Sequence, residues 1–147
     1  DKDYQQTQAL VAIQNGSLLG VGPGKSTQRS ILPYSESDFI FAIILEEYGL
    51  IGGVIVLLCY LILLFRAIKI SLKIDSIFGS LIVIGLMFSL VFQALINMLV
   101  SVEIMPVTGQ TLPLISMGGT SLVFTFIAIG IVLSVSRNSL EGEYEKA

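Results

Sequence analysis

Three predominantly apolar stretches of the chain carry no charged residue: Tyr48 to Phe65, Ile77 to Val102 and Ile104 to Ser136. Roughly twenty apolar residues cross a bilayer as a helix, so the first two stretches predict one span each. The third is too long for one straight helix. Its opening, IMPVTGQTLPLISMGG, holds Pro106, Gly109, Pro113, Gly118 and Gly119 and predicts an irregular or re-entrant loop buried in protein, because irregular backbone facing lipid would leave its polar groups unbonded. Spans are therefore expected near 48–68, 77–101 and 118–137.

Ahead of the spans the pattern changes. Residues 1–15 are polar at first, apolar at Ala9 to Ile13, and closed by Asn15-Gly16, which predicts a short interfacial helix with Gly16 as its C-terminal stop. Then Gly16, Gly20, Gly22 and Gly24 surround Pro23, against a continuous helix. Gly24-Lys25-Ser26 looks like the end of a Walker A loop, but the first glycine of that motif would fall at Leu19 and no strand precedes it. Lys25 also stands where a dinucleotide fingerprint needs its third glycine. Two readings remain: backbone amides, Lys25 and Arg29 holding an anionic group such as a phosphate, or a flexible loop with two solvated cations.

Acidic residues gather just before the first span. Of eleven Asp and Glu residues, Glu36, Asp38, Glu46 and Glu47 lie within ILPYSESDFIFAIILEEYGLIGG. Ionisable groups at a membrane boundary are costly unless a substrate, ion or partner charge compensates them. If 38–48 is helical, at about 100° per residue Phe39, Ala42, Ile43 and Glu46 share a side with Asp38 and Glu47 points away. The alternative is that all four acids are wet residues at the mouth of a helix.

Arg66, Lys69 and Lys73 follow the first span and Arg137 follows the third, which predicts a cytoplasmic face there. The glycine loop, Asp38 and the loop from Pro106 to Ser116 then fall on the opposite, extracytoplasmic face. The polar tail 138–147, with Glu141, Glu143 and Glu145, is expected to be cytoplasmic and mobile. Within the second span Ser89, Gln93, Asn97 and Ser101 recur every four residues. Such a stripe predicts hydrogen bonds to helices outside this chain, or a substrate lining. Gly49 and Gly53 form a small-residue pair suited to close helix packing, and Tyr48 and Tyr60 suit an interface or packing.

Composition agrees with an all-α polytopic membrane protein: 54% hydrophobic and only 13% charged residues, against about a quarter charged in soluble domains. The net charge of −3 and the lack of histidine argue against a nucleic-acid partner and against histidine chemistry or ligation. The single cysteine, Cys59, allows no internal disulfide and suggests packing. The chain opens with Asp1 in a polar segment without a signal-peptide pattern, so a fragment of a larger polytopic protein is expected.

Three blocks, YQQTQALVAIQNGSLLGVGPGKSTQ, LPYSESDFIFAIILEEYGLIGG and MPVTGQTLPLISMGGTSL, resemble the C-terminal portion of the SEDS proteins, the FtsW/RodA/SpoVE group, from Tyr4 to about Arg137. The glycine-loop run and the absence of tryptophan look more like FtsW, the division member, than RodA. The resemblance implies ten membrane helices, of which this chain would supply the last three plus the large extracytoplasmic loop before them. Residues 1–47 would form that loop, 48–137 the three-helix portion and 138–147 the tail.

It also implies a peptidoglycan glycosyltransferase of the bacterial cytoplasmic membrane, at the division septum. Such an enzyme polymerises lipid II, an undecaprenyl-diphosphate disaccharide-pentapeptide, and works with a class B penicillin-binding transpeptidase and other division proteins. The family's essential aspartate carries over to Asp38. Where relatives often hold further acids this chain has Ser30, Ile31 and Tyr34, with Glu36 nearby. Asp38 suits a general base; Lys25, Arg29, the glycine loop or a divalent cation, Mg or Mn, suits the leaving diphosphate. Ser26, Gln28 and Glu46 join Lys25 and Arg29 as substrate-binding candidates. Thr108, Gln110 and Ser116 can hydrogen-bond sugar or phosphate in a block that is otherwise scaffold. A lipid II flippase and a docking scaffold for the transpeptidase are the alternatives.

Overall fold

The computed structural model describes residues 7, 10–14, 16–25, 40–106, 108–116 and 118–145. Three long helices dominate it: α1 (Ile40–Ser71), α2 (Ile77–Ser101) and α3 (Gly119–Glu145). All are rich in Ile and Val, which favour strands in water. In hydrocarbon, each segment must bond its own amides and carbonyls, and the helix does so. Each has a stretch long and apolar enough to cross a membrane, in α3 Gly119–Asn138. α3 continues as helix to Glu145, so the segment expected to be a mobile tail extends the last helix.

α1 and α2 form an antiparallel hairpin. The turn closes through Lys73 N–H to Ile70 O at 3.0 Å and Ile74 N–H to Ser71 O at 3.3 Å, and Ser76 caps α2 by accepting from Gly79 N–H at 3.3 Å. Such a short connection forces neighbouring helices to run in opposite directions. α2 lies between the other two, and α3 reaches α1 only at a few points. Around α2 the core divides. Phe41, Leu45, Tyr60, Leu90, Ala94, Met98 and Leu112 pack at one level, and Ala67, Val83, Met87 and Val132 at the other.

α1 is broken at Gly49, whose backbone (φ 69°, ψ −167°) lies in a region essentially restricted to glycine. The 40–48 arm folds back on the rest of the helix. A Cβ on Gly53 would lie 2.5 Å from Leu45 Cδ2 and 3.4 Å from Phe41 Cζ, whereas a straight helix would separate Leu45 from Gly53 by about 12 Å. Gly49 and Gly53, expected to serve packing between helices, instead make the bend and the space for it.

α2 stops with Glu103 in the left-handed region (φ 59°). Ile104 N–H bonds Leu99 O at 2.9 Å and Glu103 N–H bonds Val100 O at 3.1 Å, a Schellman ending that sends the chain back over the helix. The following loop is irregular, with Leu114 (φ 69°) and Gly109 (φ 68°) also left-handed. Leu112, Pro113 and Ser116 are nonetheless buried.

Candidate functional site

The helix break leaves carbonyls at the end of the arm and amides at the start of the long segment without helical partners. The glycine loop supplies them. Val21 N–H donates to Glu46 O at 2.9 Å, Gly22 N–H to Glu47 O at 3.0 Å, and Leu50 N–H donates to Ser17 O at 3.1 Å. Backbone lies directly on backbone here, so Gly16 and Gly20 have no room for a side chain against Leu45, Glu47 and Gly49. Three of the loop's glycines are thus committed to docking on α1. Residues 10–14 and Gly16 are helical, with a turn at 17–19.

Lys25 stands at the exposed end of this loop. Its N–H bonds Gly22 O at 3.2 Å, and its stem runs alongside Gly22. Glu46 is 1% exposed on the arm, beside buried Phe41, Ala42, Ile43 and Leu45, while Glu47 is half-buried. The face that the helical wheel assigns to Ala42, Ile43 and Glu46 is the inward one. Asp38, Ser26, Gln28 and Arg29 lie outside the described residues, as do Glu36, Ser30, Ile31 and Tyr34.

The polar stripe of α2 faces the loop that follows it. Gln93 Nε2 donates to Thr111 O at 3.1 Å and Asn97 Nδ2 to Gln110 O at 2.6 Å, while Tyr60 of α1 donates its hydroxyl to Pro113 O. Ser101 bonds back to Asn97 O at 2.9 Å. The stripe predicts bonds to helices outside this chain or a substrate lining; in the structure Gln93 and Asn97 donate to carbonyls of the loop 108–116. Because Gln93 lies two turns before the end of α2, the loop descends about 12 Å along the helix. Irregular backbone at that depth needs such donors, and the sequence reading gave Tyr60 no such part.

Of the loop candidates, Thr108 and Gln110 are exposed and Ser116 is buried. Gln110 lines a groove of about 450 Å³ between α2, the loop and the start of α3. Thr111, Ser121 and Thr125, absent from the sequence-derived set, form its hydroxyl wall. Thr111 Oγ1 donates to Ser121 Oγ at 2.7 Å, and Thr125 Oγ1 to Ser121 O at 2.8 Å. A second groove of about 390 Å³, between α1 and α2, has an apolar lining that includes Phe41, Leu45, Leu57, Leu95 and Met98. Cys59, expected to pack, is exposed on the outside of α1.

Known proteins share this arrangement. The family described as "Cell cycle protein", FtsW/RodA/SpoVE, matches residues 1–141. Stage V sporulation protein E of Bacillus subtilis (strain 168) is 43% identical over 92% of this chain and 37% of its own length. A probable peptidoglycan glycosyltransferase FtsW of Hydrogenovibrio crunogenus is 42% identical over 97% of this chain and 38% of its own. A chain solved in work on the structural coordination of polymerization and crosslinking by a peptidoglycan synthase complex superposes with a TM-score of 0.74 at 32% identity, covering 90% of this chain and 37% of that one. The chain thus spans somewhat over a third of the length of these relatives. With the match running almost from end to end, and with the same three-helix arrangement at 32% identity, this chain belongs to the FtsW/RodA/SpoVE family.

Proposed function

We propose that the protein containing this chain is a peptidoglycan glycosyltransferase that polymerises lipid II at the outer face of the bacterial cytoplasmic membrane, acting in division beside a class B penicillin-binding transpeptidase. What carries the reading is the similarity to relatives named as probable peptidoglycan glycosyltransferases, one of them 42% identical over 97% of the chain. The synthase-complex chain of the same fold supports the partnership. The basic residues Arg66, Lys69, Lys73 and Arg137 support a cytoplasmic position for the α1–α2 turn and the end of α3, with the glycine loop and a re-entrant 104–118 loop outside.

In this reading Asp38, two residues before the start of the arm, is the general base. It takes the proton from the attacking sugar hydroxyl. The hydroxyl oxygen bonds the anomeric carbon, with inversion, as the bond from that carbon to the diphosphate oxygen breaks. Undecaprenyl diphosphate leaves with the electron pair. Lys25 and Arg29 neutralise its developing charge, a task a divalent cation would share. Glu46, Ser26 and Gln28 are further substrate contacts or supports of this loop, and Thr108, Gln110 and Ser116 belong to the opposite wall.

The broken α1 favours one second reading, translocation of the lipid-linked precursor, because transporters build substrate sites on interrupted helices. Polymerisation of purified lipid II by the full-length protein separates the two, with and without the transpeptidase and divalent cation. Asp38→Asn should abolish polymer while the protein stays folded. Normal glycan synthesis by that variant removes Asp38 from the mechanism, and altered translocation with intact polymerisation selects the transporter.

A further inference from the structure

The two grooves beside α2 differ in chemistry. The one against α1 is apolar throughout. The one against α3 is mixed: Ser89, Gln93, Gln110, Thr111, Ser121 and Thr125 offer polar groups among the apolar Leu86, Leu90, Phe124 and Ala128. Among the described residues lining the groove against α3 none is charged. A diphosphate seated there would lack a counter-charge, and a hydrocarbon tail would bury the hydroxyls and amides without partners. The lining suits a neutral ligand rich in hydroxyl and amide groups.

The wall is pre-ordered. Because Thr111 Oγ1 already donates to Ser121 Oγ and Thr125 Oγ1 to Ser121 O, these two threonine oxygens keep acceptor capacity, while the Ser121 hydroxyl keeps its proton to donate. One donor between two acceptors matches the hydroxyls and acetamido group of an amino sugar. Gln93, held by Thr111 O, fixes the floor. Phe124, 72% exposed beside the wall, offers a flat apolar surface to the C–H face of a pyranose ring. The volume of about 450 Å³ falls within the roughly 300–1,000 Å³ usual for small-ligand sites.

We propose that this groove is a subsite for an N-acetylhexosamine unit of the glycan strand, leading away from the site of bond formation and meeting its opposite wall at Gln110. The assignment of the sugar to a growing strand rests on the polymerase reading above. The probe is chitotetraose, a soluble neutral oligomer of N-acetylglucosamine, added to the full-length protein in nanodiscs and followed by saturation-transfer NMR, with glycan strand length measured on lipid II in parallel. Ser89→Leu fills the groove while sparing the anchors at Gln93, Asn97 and Tyr60; Ser89→Ala is the conservative variant, and thermal stability shows that each is folded.

Wild type and Asp38→Asn should bind the oligomer alike, and Ser89→Ala should bind it more tightly than Ser89→Leu. Ser89→Leu should weaken binding roughly tenfold or more and shorten the strands. Oligomer binding and strand length both unchanged in Ser89→Leu overturn the proposal, as does the absence of saturation transfer to wild type, the result expected if the rest of the full-length protein fills the groove. If wild type binds the oligomer but makes no polymer from lipid II, the sugar subsite stands and the polymerase reading fails.

Discussion

Gly20 and Gly49 meet backbone to backbone: a Cβ on either would lie 2.6 Å from the amide nitrogen of the other. The glycine loop and the break in α1 are therefore one structural unit. Each satisfies what the other leaves open, and the 40–48 arm keeps its direction only while both positions lack side chains.

Gly49→Ala should accordingly be among the most destabilising small substitutions in the chain. A residue forced into that glycine region costs about 1–3 kcal/mol, before the collision with Gly20. Gly85→Ala is the contrast, because a Cβ there meets nothing within 4 Å and alanine in a helix interior gains about 0.5–1 kcal/mol over glycine. Thermal unfolding of the full-length protein in detergent should show a fall for the first and no loss for the second. Equal melting temperatures for Gly49→Ala and wild type would separate the loop from the break.

Asn97→Ala should loosen the loop more than it harms the helices. Without Asn97 Nδ2 the Gln110 carbonyl loses its donor in a part-buried contact, a loss of about 0.5–1.5 kcal/mol for an ordinary hydrogen bond. Tyr60→Phe removes the hydroxyl that reaches Pro113 O and should act in the same direction. Hydrogen exchange read by mass spectrometry should speed up across 108–116 in both variants, with α2 and the α1–α2 turn unchanged. Faster exchange spread evenly over all three helices would mean that these bonds hold the whole bundle instead.

How much of this was legible follows from which residues act through their neighbours in sequence. Three helices and an irregular insertion follow from runs of apolar residues interrupted by Pro106, Gly109 and Pro113, because span length and backbone satisfaction are properties of a local window. The Ser89 to Ser101 stripe announced that one face of α2 needed partners, but periodicity cannot name them; only the fold brings Thr111 and Gln110 back over Gln93 and Asn97. Gly49 read as a packing glycine since nothing in its flanks marks a break, and its role depends on a loop some thirty residues earlier in the sequence. Thr111, Ser121 and Thr125 straddle the loop and the helix after it, so no spacing rule gathers them. Asp38 was singled out by its charge at a boundary and by family resemblance, and it lies outside the described residues.

Orientation can be tested without activity. In a Cys59→Ser background, Leu19→Cys places a thiol on the glycine loop and Leu72→Cys places one on the α1–α2 turn, at positions 81% and 82% exposed. A membrane-impermeant maleimide applied to intact spheroplasts should label position 19 and reach position 72 only after permeabilisation. Labelling in the reverse order would invert the topology drawn from Arg66, Lys69, Lys73 and Arg137, and with it the outer-face location of the glycine loop.

Lys25 allows the sharpest distinction between a charge that binds and a charge that is merely wet. Its backbone is tied to Gly22, Gly22 to the Glu47 carbonyl, and Glu47 belongs to the arm that starts two residues after Asp38, so the ammonium is held by an ordered support. If it meets the substrate diphosphate, Lys25→Met, which keeps most of the stem and loses the charge, should raise the half-saturating concentration of lipid II about threefold to fivefold, the scale of an exposed charge attraction. Lys25→Arg should stay near wild type. Salt supplies an independent check, because raising ionic strength shortens the Debye length from about 8 Å at 0.15 M. Added salt should therefore weaken wild type more than Lys25→Met, which keeps only Arg29 for the diphosphate and so has the shallower salt dependence. Identical substrate and salt dependence in all three proteins would return Lys25 to solvent and leave the diphosphate to Arg29, a cation or the loop amides.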